Sequence, residues 1–193
     1  MKKILMTLVA AFAAVSMNAQ TNMYIGGSLG YSTTSHDGST LNTKFSFIPH
    51  FGVRFTDTMG VGVEIGYSSN KNEKSEPTVT TSEFTFAPYF RYTAIKMGNL
   101  AFFGDGKFGY TTSKDEYKYA TGNTTDMTTN SWGLYVQPGM AYSLNQSFGL
   151  VAKFGNILGY TSSKPDVSGA KATSKFEFLN LSNNIQFGVF YNF

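Results

Sequence analysis

The stretch Phe45-Ser46-Phe47-Ile48-Pro49-His50-Phe51-Gly52-Val53-Arg54-Phe55, followed after a short turn by Val61-Gly62-Val63-Glu64-Ile65-Gly66-Tyr67, decides the fold. Apart from Pro49, its odd positions are Phe, Val, Ile and Tyr. Its even positions are Ser, Ile, His, Gly, Arg and Glu. Successive side chains of a strand point to opposite faces. The stretch therefore reads as two strands, each with one apolar face and one face of small or charged residues.

The pattern repeats outward along the chain. Leu29-Gly30-Tyr31-Ser32, Ile65-Gly66-Tyr67-Ser68, Phe108-Gly109-Tyr110-Thr111 and Leu158-Gly159-Tyr160-Thr161 are four copies of one motif. Between them lie Phe45-x-Phe47-x-Pro49-x-Phe51, Phe84-x-Phe86-x-Pro88-x-Phe90 and Leu134-x-Val136-x-Pro138-x-Met140. A weaker fourth copy, Leu179-x-Leu181-x-Asn183-x-Ile185, has Asn183 in place of proline. Two strand types alternating four times predict eight strands. They span 22–32, 43–55, 60–69, 82–93, 99–111, 131–142, 148–160 and 179–193. No stretch after residue 20 has a convincing helical period. The connections 56–59, 94–98 and 143–147 are short; those over 33–42, 70–81, 112–130 and 161–178 are longer and rich in Ser, Thr, Asn and Lys. Short turns at one end and long polar loops at the other are the layout of a membrane-spanning barrel.

Composition fits that reading. The 193 residues are 41% hydrophobic and 16% aromatic but only 14% charged, which excludes an intrinsically disordered chain. Without cysteine there is no disulfide scaffold, thiolate zinc site or lipid-modified Cys. Lys2 and Lys3, the apolar run Ile4 to Val15 and a small residue at Ala19 form a cleavable leader over 1–19, too short to span a bilayer. Residues 20–193 are then the working domain. Removing the two leader lysines leaves 13 bases against 12 acids, so nothing points to nucleic acid as a partner.

The charges clear of the strand ends all share the polar parity: Lys44, Arg54, Glu64, Glu83, Arg91, Asp105, Lys107 and Lys153, with His50 beside them. A soluble barrel would put the aromatics inside. That many Phe and Tyr would overfill an eight-stranded interior, which is just wide enough for side chains. The charges are therefore expected inside, as a polar network in the lumen. Arg54 with Glu64 and Arg91 with Asp105 lie within reach across short turns. Such a network reads either as a salt-bridged plug, made bulkier by Ile48, Tyr89, Phe103 and Tyr135, or as a narrow basic path for small solutes. Two aromatic girdles are expected, because amphipathic rings favour the headgroup level. Tyr31, Phe45, Tyr67, Phe84, Tyr110, Trp132 and Tyr160 fall at the loop ends; Phe55, Tyr92, Phe102, Tyr142, Tyr191 and Phe193 fall at the turn ends.

In the closing stretch, Ile185, Phe187, Val189, Tyr191 and Phe193 share one face. Phe187, Val189, Tyr191 and Phe193 resemble the carboxy-terminal signal read by the outer-membrane barrel assembly machinery. With the leader and the eight alternating strands, residues 20–193 resemble the small outer-membrane β-barrel family, the OmpX-like and OmpA-transmembrane-domain-like proteins of Gram-negative bacteria. The resemblance implies an all-β, eight-stranded antiparallel up-and-down transmembrane barrel with short periplasmic turns and longer extracellular loops. It also implies export to the periplasm, insertion by the assembly machinery, contact with membrane lipid and lipopolysaccharide, a monomer and no cofactor. The peptidoglycan-binding domain of OmpA-type proteins is missing, so no cell-wall tether is expected.

The resemblance is specific for architecture and not for activity. The expected role is a non-enzymatic barrel whose loops, over 33–42, 70–81, 112–130 and 161–178, present any ligand-binding or adhesive surface; a small-solute pore is the alternative. His36-Asp37 with Ser39 allows a third reading, a lipid-modifying enzyme, although Asp37-Gly38 is a turn signal and sequence neighbours rarely converge as a triad must. Asp115, Glu116 and Asp126 lack the ligand spacing of a calcium loop. Pro49, Pro88 and Pro138 depart from a regular ladder, and a shared mid-strand bulge or kink is expected there. Phe176 and Phe178, on the opposite parity, predict a register change before residue 179.

Overall fold

The computed structural model describes residues 23–36, 39–73, 76–181 and 185–193. The leader expected over 1–19, together with Asp37 and Asn183, lies outside the described residues. Ten strand segments follow one another: β1 (Met23–His36), β2 (Ser39–Arg54), β3 (Met59–Asn72), β4 (Thr78–Met97), β5 (Leu100–Lys118), β6 (Thr124–Ser143), β7 (Phe148–Lys153), β8 (Asn156–Pro165), β9 (Thr173–Asn180) and β10 (Gln186–Asn192). Neighbours from β1 to β6 pair antiparallel, β6 pairs with β7, β7 with β10, and β10 returns to β1. The sheet is closed. Its eight spans comprise six unbroken strands and two interrupted ones, β7 with β8 and β9 with β10.

Each interruption has a local cause. Lys153 opposes Gly139 and Leu158 opposes Val136, so four residues of the seventh span face two of β6. The extra residues bulge against Pro138, whose carbonyl accepts the Phe154 N–H at 3.0 Å. In the eighth span Leu179 takes a left-handed φ of 52°. There the outward face passes from Phe176 and Phe178 to Phe187, Val189 and Tyr191, the register change that the sequence pattern requires.

The other two prolines do not bulge. β2 and β3 keep one register on both sides of Pro49, from Phe47↔Tyr67 to His50↔Glu64, and only the two intervening pairs lapse. Pro88 does the same between β4 and β5, from Phe86↔Tyr110 to Tyr89↔Lys107. A proline has no N–H for one neighbour, so two ladder pairs open without a slip. Of the expected shared bulge or kink, a bulge is found at Pro138 alone.

The long polar loops are also mostly strand. β5 and β6 remain paired to Lys118↔Thr124, and β3 and β4 to Asn72↔Val79. Connections shrink to 37–38, 73–77, 119–123 and 166–172. Both sheet faces are wet beyond the membrane level, so polar residues there report solvent and not chain irregularity, while Thr still favours a strand. The ladder is reinforced by Thr81 donating to Asp115 at 2.6 Å and by the Lys114–Asp126 pair at 2.7 Å. At the other end the turns are tight: Thr56 Oγ1 accepts from Met59 N at 2.9 Å, and Asn145 Oδ1 from Phe148 N at 2.8 Å.

One seam is incomplete. β1 and β10 pair from Tyr24↔Asn192 to Ser28↔Gly188. Beyond Ser28, β1 continues to pair with β2 as far as His36↔Ser39, yet no ladder joins it to β9 among the described residues.

Candidate functional site

The interior is built by a repeated cross-strand device. Tyr24 lies opposite Gly52, Tyr89 opposite Gly62, Phe103 opposite Gly139 and Phe190 opposite Gly149. In each pair a Cβ on the glycine would fall on the facing ring. The inward glycines thus make room for inward aromatics. Phe103 and Tyr89 lie inside, as the sequence predicts; Tyr24 and Phe190 were not read as inward, because they are few against the many outward rings. The signal was there: Tyr24 has the opposite parity to Ile25, Leu29 and Tyr31.

These rings fill the turn-end half of the lumen. Tyr24 is 1% exposed, and its hydroxyl meets that of Tyr89 at 2.8 Å. Arg91 is held by Asp105 through two hydrogen bonds, Nε to Oδ1 at 2.7 Å and Nη2 to Oδ2 at 2.8 Å. Its guanidinium lies 3.8 Å from the centroid of Phe103. Bidentate, charge-assisted bonds fix geometry as well as charge. Asp105 is fully buried.

Above this layer Glu64 collects two lysines. Lys107 Nζ donates to Oε2 at 2.6 Å, and Lys153 Nζ donates to Oε1. Lys107 also reaches Gln137 Oε1, whose Nε2 in turn donates to the Phe154 carbonyl at 2.6 Å. Lys153 lies 3.9 Å from Asp105, linking the two clusters. The network joins β3, β4, β5, β6 and β7, and no buried side-chain polar atom lacks a partner among the described residues.

Not every expected pair forms. Arg54 does not meet Glu64: the register sets Arg54 opposite Gly60 and Glu64 opposite His50, further up the barrel. Arg54 instead donates to Asn192 Oδ1 at 3.1 Å and stacks on Tyr24 at 4.8 Å. His50 is buried with its ring 6.1 Å from Tyr24. Glu83 accepts from Ser68 at 2.8 Å near the loop end, and Lys44 is exposed with no partner among the described residues.

Toward the loop end the lumen widens into a vestibule of about 340 Å³. Its wall includes Lys44, Ser46, Glu83, Thr111 and Gln186, and its floor is Glu64, Lys107 and Gln137. Among the described residues, no group of three or more His, Cys, Asp or Glu could hold a metal. His36 ends β1, and the Asp37 required by the enzymatic reading lies outside the described residues.

The outer face carries the aromatics. Ladder partners run Tyr31↔Phe45, Phe47↔Tyr67, Tyr67↔Phe84 and Tyr110↔Trp132, with Trp132 and Tyr160 rings 5.5 Å apart. At the turn end, Phe55, Tyr92 and Tyr142 are exposed, and Tyr191 packs on Phe148 at 4.9 Å and Phe193 at 5.0 Å. The Phe193 N–H donates to the Met23 carbonyl at 3.0 Å, so the stretch read as an assembly signal also closes the sheet.

Comparison with known proteins agrees with this geometry. No curated protein matches the chain. Among solved structures it resembles Neisserial surface protein A (16% identity, TM-score 0.50, covering 89% of this chain and 97% of that one). It is also similar to Ail, the attachment invasion locus protein of Yersinia pestis (13%, 0.52, 91% and 100%). A third neighbour is a major outer membrane protein from Thermus thermophilus (11%, 0.53, 91% and 100%). At these identities the likeness is one of fold. The family model for the outer membrane protein β-barrel domain matches residues 4–193, and the chain belongs to that family of outer-membrane barrels.

Proposed function

We propose that this outer-membrane barrel is non-enzymatic, that its lumen is plugged, and that it works through the strand ribbons beyond the membrane, as a surface or attachment protein. The observation that carries the reading is the buried layer of Tyr24, Tyr89, Arg91 and Asp105, which leaves no unpaired polar atom for a passing solute to replace. Ail, a neighbour of the same fold, is an attachment invasion locus protein, which supports a surface-contact role without naming a ligand. The leader over 1–19 directs export, and the Phe187, Val189, Tyr191 and Phe193 face is read by the assembly machinery. The protein is a monomer among lipid and lipopolysaccharide.

The polar vestibule favours a second reading, a small-solute pore, and conductance separates the two. Refolded protein in a planar bilayer is expected to show no discrete steps, with folding verified by heat-dependent gel mobility. Steps that change with Arg91→Ala would replace the plug by a path. For the surface role, bacteria carrying the protein with the ribbon tip 112–130 cut back should lose binding to host-cell or matrix surfaces while the barrel still folds. Undiminished binding would remove that role. Unchanged lipid acylation and surface proteolysis in His36→Ala would dispose of the enzymatic reading.

A further inference from the structure

The open stretch of the β1 seam is a crevice of about 320 Å³, lined by two chemically different groups. Facing outward are Leu29, Tyr31, Ile185 and Phe187, all strongly exposed. Facing inward are Lys44, Ser46 and Gln186, and these same three line the lumenal vestibule. The crevice therefore connects the lipid-facing surface with the interior, changing from apolar to polar along the way. None of the three inward side chains has a hydrogen-bond or ion-pair partner among the described residues. Every other lumenal lysine or arginine described above is paired.

Depth fits the same division. Tyr31 and Phe45, ladder partners, belong to the loop-end aromatic row, and Lys44 is one residue beyond it, opposite Ser32. Aromatic rows sit at the headgroup level, so the free ammonium lies where lipid phosphates lie, and Leu29 and Phe187 lie where acyl chains begin. A strand edge with no ladder partner among the described residues must find hydrogen-bond partners at this depth, because hydrocarbon offers none. Phosphate oxygens supply acceptors for both the β1 edge and Lys44.

We infer that this seam is a lateral binding site for a phosphate-bearing membrane lipid, its headgroup entering between β1 and β10 onto Lys44, Ser46 and Gln186 while its chains stay in the outer leaflet against Leu29, Tyr31 and Phe187. The site is independent of the surface-contact role and of the plug beneath it.

The test uses full-length barrel refolded into phosphatidylcholine vesicles containing a minority of chain-brominated phosphatidylglycerol. Trp132, the single tryptophan, is replaced by Phe, and a reporter is introduced as Tyr31→Trp at the seam or, as control, Tyr67→Trp on β3. Quenching at the seam should exceed that at the control position several-fold. Lys44→Gln should reduce it to the control level, and Lys44→Arg should retain it, with gel mobility verifying that each variant folds. Equal quenching at both positions overturns the site, as does quenching unaffected by Lys44→Gln. Brominated phosphatidylcholine quenching as strongly as phosphatidylglycerol overturns the headgroup assignment. A cross-linked dimer formed through a Leu29→Cys variant in the same vesicles, with the reporter shielded, would give the seam to a second copy and overturn the proposal.

Discussion

The two halves of the barrel solve the problem of a polar interior differently. In the periplasmic half, eight spans close completely and side chains pair with one another: Arg91 with Asp105, Glu64 with Lys107 and Lys153. In the extracellular half, among the described residues, no ladder joins β1 to β9 and Lys44 has no partner, and the lumen is a vestibule. The difference teaches where stability resides. A charge without water needs a protein partner, whereas one facing the vestibule has solvent. Equivalent-looking inward charges should therefore contribute unequally.

The comparison is broken most directly at Asp105. Replacing it by Ala leaves Arg91 buried and unpaired, which should cost about 3–5 kcal/mol, read as a lowered urea midpoint of the folded, faster-migrating gel band. A midpoint shift no larger than that of Glu83→Gln would abolish the distinction between the halves. Next in size is the ring-on-glycine packing. Gly62→Val would press on the Tyr89 ring and should cost about 1–3 kcal/mol. Gly104→Val, on the outward face with nothing within 4 Å of its Cβ, should be close to neutral. Similar losses at both glycines would remove the packing argument.

Glu83→Gln sharpens the contrast from the other side. It weakens a single bond from Ser68 in a wet vestibule and should change stability by about 1 kcal/mol at most. Smallest is Lys114→Ala on the extracellular ribbon. Its hydrogen bond with Asp126 raises the Lys114 pKa, yet the pair is solvent-screened, so the urea midpoint should stay unchanged within error.

The sequence shows the barrel because parity is a simple physical code: Phe45, Phe47 and Phe51 face lipid, while Arg54, Glu64 and Asp105 do not. Span number, short turns and the register change near residue 179 follow from the same alternation. Partners within the lumen were less legible. Which carboxylate meets which cation depends on tilt and register, so Glu64 finds Lys153, 89 residues away, and not Arg54 across the turn. The ribbons were misread because Thr, Ser and Asn suit both a wet strand and a loop. The seam left no sequence signal, since Leu29-Gly30-Tyr31 matches its copies in strands that keep a ladder with both neighbours.

Strand length carries a consequence for how the molecule meets its surroundings. β4, β5 and β6 have 20, 19 and 20 residues, while β1, β2 and β3 have 14, 16 and 14. A membrane crossing takes about 9–11 residues of a tilted strand. At roughly 3.3 Å per residue, the extra length raises one side of the rim well above the other. The mouth is thus cut obliquely, like a quill. Anything approaching from outside touches the β5–β6 tip first, and the low side of the rim is the one that carries the β1 seam.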